Sequence, residues 1–210
     1  MNWPGRDRWR TLLRAAGASG AASGWYDRLT KAYGEPQRHY HNHQHIAECL
    51  AEFDQAAHLA LQPTAVELAL WFHDAAYDPK AGDNEEQSAA LARQCLGECG
   101  TASPLADSVA RLILVTQHHE SEAGGDAAVM VDVDLSIFGR DEKRFFEYEA
   151  QIRREYAWVP AAVFGPKRAE ILHGFLVRER IFATDWFRTK YEQQARRNLE
   201  ASIRRLRELS

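Results

Sequence analysis

The sequence predicts an all-α fold, on three observations. Apolar residues recur at helical spacing through most of the 210 residues. Helix-opening residues stand in front of several of those runs. Only one segment, 129–135, alternates in the manner of a strand.

The elements follow in chain order. Ile46, Cys49, Leu50, Phe53 and Ala57 fall at i, i+3, i+4, i+7 and i+11 and form one stripe. Asn42 is placed to cap that helix, leaving His41 in the approach and His45 in the first turn. Pro63 and Thr64 open the next helix, whose stripe holds Val66, Ala69, Leu70 and His73. Asp83 or Asn84 starts another, with Glu86 or Gln87 closing a capping box. Ser103 and Pro104 form an N-cap and first-turn pair for the run through Thr116. Phe145, Tyr148, Ile152 and Tyr156 make a further stripe. Phe187, Tyr191, Ala195, Leu199, Ile203 and Leu206 make a long last one, capped by Thr184 or Asp185. About eight to ten helices are expected. The glycine-rich stretches GASGAASG (17–24) and EAGGDA (122–127) read as loops.

The exception is VMVDVDL, 129–135. Taken alone it reads as a strand with both aspartates on one exposed face. As a helix it aligns Val131, Asp134, Leu135 and Phe138 on a buried stripe and turns Asp132 away by roughly 160°. The sequence leaves both open.

The chain is long enough for one sizeable domain with a core. A net charge of -4 argues against a general nucleic-acid binder, which needs a basic face to neutralise phosphates. The three cysteines, Cys49, Cys95 and Cys99, are an odd number. With no secretion signal or apolar span behind MNWPGRDRWR, they fit a reducing cytoplasm, no membrane partner, and thiols used for packing. Trp158, Phe164 and Trp186 could serve a core or a homo-oligomer interface.

Chemistry concentrates in three places. RHYHNHQHI, 38–46, holds four of the nine histidines. In a helical register His41 and His45 share a face, while His39 and His43 point elsewhere. In LALWFHDAAYD, 68–78, His73 lies on an apolar stripe and Asp74 follows among bulky apolar neighbours. A carboxylate there is costly unless something positive pairs with it. A metal ion would do so; a helix end with a solvated Asp74 is the alternative. If 129–135 is helical, Asp134 is a lone core carboxylate, and His45, His73 and Asp74 supply the rest of a site.

Other residues carry two readings each. His118 and His119 in TQHHE could reach a pocket or a second ion, or could sit at a polar helix end near the dipole's negative pole. Asn84 or Glu85 could orient or deprotonate a water beside the metal, or only cap a helix. Lys80 could meet a phosphate or face solvent.

These residues carry a resemblance. YHNHQHI, then FHDAAYD, then DVDLS resembles the HD superfamily of metal-dependent phosphohydrolases. The first element is similar to the YHNxxH signature of the cyclic-nucleotide phosphodiesterase branch. With WFHDAAYDP, DNEEQSA, VDVDLSIFG and ARRNLEASI, the chain resembles a family of bacterial predicted HD hydrolases over roughly residues 25 to 205. After the doublet it departs from the phosphodiesterases: AAYDP stands where they have a second histidine and glycine.

The resemblance implies one HD-type domain over 1–210, with a core at about 25–180 and a helix at 184–208 packed on it. It implies that His45, His73, Asp74 and Asp134 bind one divalent ion, or two, of Mn, Fe, Zn, Ni or Mg. It implies that hydroxide formed on the ion attacks a small phosphorylated substrate while His41 protonates the leaving oxygen and Arg38 contacts phosphate. Two other classes are compatible with the scaffold. One is an HD-type di-iron oxygenase, which needs His118 or His119 on iron. The other is a non-catalytic module that senses a nucleotide.

Overall fold

The computed structural model describes residues 3–19, 23–119 and 124–208. Every regular element among them is helical. In order they are α1 (Arg6–Ala15), α2 (Ser23–Tyr33), α3 (His43–Ala56), α4 (Pro63–Phe72), α5 (Asn84–Glu98), α6 (Ser103–Leu114), α7 (Gly125–Leu135), α8 (Glu142–Glu155) and α9 (Ala161–Leu176). The single turn α10 (Asp185–Phe187) and the long α11 (Gln193–Glu208) complete them, with short 3-10 or π turns at several junctions. Among the described residues no helix is long and apolar enough to cross a membrane. Of the two glycine-rich loops expected from the sequence, residues 20–22 and 122–123 lie outside the described residues, as does Glu120 of the TQHHE motif.

Segment 129–135 is helix. The reason its period was unreadable is burial on every side: Ala128 through Val133 are all buried. A helix with no solvent face shows no polar stripe, so alternation of valine and aspartate carries no information about period. Asp132, phased away from the Asp134 stripe, is fully buried as well.

The chain divides into two compact units, residues 1–133 and 134–210. In the first, α4 is central and α1, α3, α5 and α6 pack on it. Ala65, Val66 and Leu68 through Phe72 are wholly inaccessible, as expected of a helix apolar all round. Pro63 occupies its first turn. Aromatic rings close over its far end: Trp9 lies 5.2 Å from Trp71, and Trp25 lies 6.0 Å from Phe72. The Tyr33 hydroxyl donates to the Trp71 carbonyl at 3.0 Å. Full burial of each such ring contributes about 2–3 kcal/mol, so the end of α4 is held firmly where it hands the chain to His73.

Helix α3 starts at the expected cap, the Asn42 side chain accepting from the Gln44 N–H at 2.8 Å. Two other caps differ from expectation. Ser103 lies inside α6, and Ala102 precedes it with no side-chain cap. At α5 no capping box forms. The Asn84 amide instead bonds both the N–H and the carbonyl of Asp78, each at 2.9 Å, and Glu86 accepts from Gln117 at 3.1 Å. The preceding loop offers a better partner than the helix's own N–H groups.

In the second unit α11 packs on α8 and α9 and on the 3-10 turn Ser136–Gly139. Its buried stripe, Phe187, Tyr191, Ala195, Leu199 and Ile203, is spaced strictly by four. A straight α-helix would rotate such a stripe by about 40° per step. The π turn Arg188–Glu192 takes up part of that drift with its wider coil. Thr184 caps α10 by accepting from the Phe187 N–H at 3.4 Å. A buried network ties the three helices: Arg168 donates to Glu149 at 2.5 Å and to the Tyr148 hydroxyl at 2.6 Å. Ser202 donates to the other Glu149 oxygen at 2.7 Å.

Candidate metal centre

Two helix ends in the first unit bring three donor atoms together. His45 lies in the first turn of α3 because Asn42 fixes where that helix begins. His73 follows α4, its N–H still bonded to the Ala69 carbonyl at 2.8 Å. Asp74 is the next residue. His45 Nε2 and His73 Nε2 stand 3.0 Å apart. Asp74 Oδ2 lies 3.2 Å from the first and 3.1 Å from the second. Both imidazoles are buried.

The tautomer follows from a neighbour. His73 Nδ1 is 3.1 Å from the Leu70 carbonyl, which can only accept, so Nδ1 carries the hydrogen and Nε2 of the neutral ring is bare. This is the outer contact that metal-bound histidines use to fix their orientation. Asp74 Oδ2 is buried and has no other hydrogen-bond partner. Bare lone pairs forced to about 3 Å repel each other unless a proton or a cation lies among them. One ion with bonds of about 2.0–2.2 Å sets adjacent donors about 3.3–3.6 Å apart in a tetrahedral shell and about 3 Å apart in an octahedral one, so a small outward movement of the donors on binding covers either geometry.

Cys49, one turn beyond His45 on α3, adds a sulfur. Its Sγ is 3.6 Å from His45 Nδ1 and 3.8 Å from Nε2. The ligand atoms of His45, Cys49 and His73 all lie within 4.8 Å of one another. The buried His45, Cys49 and His73, with a half-buried aspartate, could thus hold a metal. Burial pushes the Asp74 carboxyl up, but the imidazoles of His73, His41 and His45 outweigh it and hold the group well below the ordinary carboxylate range.

His41 is half-buried beside this group. Its ring stacks on Tyr77 at 4.1 Å and lies 5.9 Å from that of His45. The other histidines of the cluster are structural. His43 Nε2 meets the Thr30 carbonyl at 2.7 Å, and its ring packs 4.6 Å from Trp3. The His39 carbonyl accepts from Asn42.

Arg38 has a structural task. It is 5 % exposed, and its guanidinium donates to Glu35 at 3.0 Å, to the Asp74 carbonyl at 2.5 Å, to the Ala75 carbonyl at 3.0 Å and to the His41 carbonyl at 3.3 Å. Four of the five N–H donors of an arginine are thereby used. Arg38 fastens the loop that carries His41 to the turn that carries Asp74.

The remaining residues singled out in the sequence lie as follows. Glu85 is half-buried in the first turn of α5, and Lys80 is exposed in the preceding loop. Asn84 is taken up by Asp78. His118 ends the 3-10 turn after α6 and is exposed; His119 follows in the left-handed region at φ 49. Among the described residues neither joins the group of ligand atoms. Asp134 is the next residue of α7 after Val133, half-buried, where the second unit begins. Cys49 was legible only as a stripe residue; the signal that could have marked it is its i, i+4 spacing from His45. No known protein family, curated protein or solved structure matches this chain.

Proposed function

We propose that the chain is a metal-dependent phosphohydrolase that cleaves a phosphomonoester or phosphodiester bond in a small molecule, a nucleotide being the first candidate. The observation that carries this is the triangle of His45, His73 and Asp74 donor atoms at 3.0–3.2 Å, with His73 oriented by Leu70. In this reading Asp134, the last aspartate of the HD pattern, is the fourth ligand. Two imidazoles and two carboxylates suit Mn, Fe, Zn, Ni or Mg. A divalent ion held there supplies an acidified water and neutralises phosphate charge.

The chain's own groups do the rest. His41 holds a proton beside the ligand group, its ring fixed by Tyr77, and delivers it to the leaving oxygen. Arg38 keeps His41 and Asp74 in register through their carbonyls and is a positioning residue. Glu85 orients the attacking water.

The test is a screen of phosphate release from a nucleotide panel with several divalent ions. His41→Ala should keep the metal and lose about 10²- to 10⁴-fold in turnover, the usual contribution of a general acid. Asp134→Ala should lose the metal. A metal-loaded protein that releases no phosphate from any member of the panel would remove the hydrolase reading.

A further inference from the structure

We infer that Cys49 is a thiolate ligand of this centre and that it restricts the bound ion to thiophilic metals, Zn²⁺ or Fe²⁺ rather than Mg²⁺ or Mn²⁺. The inference rests on the metal site proposed above and names a ligand that the HD pattern does not supply. Cys49 and His45 are four apart on α3 and share its face. Cys49 is 2 % exposed, so its sulfur faces the protein interior.

The sulfur lies among the donor atoms. The ligand atoms of His45, Cys49 and His73 are within 4.8 Å of one another, with Cys49 Sγ 3.6 Å from His45 Nδ1 and 3.8 Å from Nε2. A tetrahedral ion with a nitrogen at about 2.0–2.1 Å and a sulfur at about 2.3 Å holds the two about 3.5 Å apart, so the Cys49 side chain turns toward the ion on binding. His45 Nε2 is the atom that faces His73 Nε2 and Asp74 Oδ2. Sulfur and two ring nitrogens therefore lie within reach of one ion, and the Asp74 oxygen beside those nitrogens is a buried acceptor with no donor beyond them. On binding, the sulfur–metal bond forms and the thiol proton leaves to water; no electron is transferred. Soft thiolate favours Zn²⁺ and Fe²⁺, whereas Mg²⁺ and Mn²⁺ favour all-oxygen or mixed nitrogen–oxygen sets.

Two measurements test this. X-ray absorption of the zinc-loaded wild-type chain should show one sulfur scatterer at about 2.3 Å. The cobalt-substituted wild type should show a sulfur-to-cobalt charge-transfer band in the near ultraviolet that Cys49→Ser loses while its ligand-field bands remain. If the ion is held by nitrogen and oxygen alone and no such band exists, the role of Cys49 is overturned and the histidine–aspartate site stands. If Cys49→Ser weakens zinc binding by about 10–100-fold, as an outer-shell partner does, but keeps the wild-type spectrum, the inference is likewise overturned. If wild type retains no ion, the site and the inference fall together.

Discussion

Replacing Arg38 by methionine separates two jobs that its position beside His41 makes equally plausible on paper. A phosphate contact would be lost with little change in stability. A clamp would be lost at the cost of the fold. The structure gives the second a magnitude. Three buried or half-buried carbonyls, of His41, Asp74 and Ala75, accept from this one guanidinium. Each acceptor left without a partner costs about 1–3 kcal/mol. Water can reach some of them, since Glu35 beside the same group is 40 % exposed. The loss is therefore set at the lower half of that sum, about 3–5 kcal/mol. With a urea m-value of about 2 kcal/mol/M, the midpoint of the metal-free protein should fall by about 1.5–2.5 M. Arg38→Lys, with a single ammonium, should fall between. A midpoint shift under about 0.3 M for Arg38→Met, with m unchanged, would refute the clamp and return Arg38 to the substrate.

Further outcomes follow from the packing and the charges. A Cβ on Gly139 would lie 2.4 Å from Tyr191 Cβ, so Gly139→Ala should destabilise by about 2–3 kcal/mol through overpacking, read as a lower melting temperature. Burial raises the phenols of Tyr33 and Tyr148 above their ordinary value. Their contribution to stability is complete below about pH 10 and is lost as pH rises through the folded-state values, because the unfolded chain ionises first. Ultraviolet titration should find Tyr33 and Tyr148 ionising late, and Tyr148→Phe should reduce the late amplitude; a titration with no late phase would contradict the burial.

Helices with one wet face were readable because their stripes survive in the sequence: α3, α8 and α11 bury most of the residues their periods select, with Ala57, Tyr156 and Leu206 half-buried at the ends. Helix α7 was ambiguous because residues 128–133 are buried all round, and Asp132 shows why phasing alone misjudges such a helix. Caps depended on competition. Asn42 finds the N–H of its own helix, while Asn84 is drawn off by Asp78. At the site, His73 was conspicuous as an imidazole on an apolar stripe and Asp74 as a carboxylate among apolar neighbours, while His45 stood out by its shared face with His41 and by the HD resemblance. Cys49 was hidden because a thiol on a stripe looks like any small apolar residue. The task of Arg38 was hidden for a different reason: its partners are backbone carbonyls far along the chain, and a sequence carries no mark of them.

The most direct measurement is the metal content of the chain after chelator stripping, reloading with zinc or iron, and desalting. At least one tightly held equivalent per chain is predicted, lost in His73→Ala and in Asp74→Ala while the far-ultraviolet circular dichroism stays helical. Wild type that emerges with no ion, or variants that retain as much as wild type, would contradict the claim that the three donors converge on a cation.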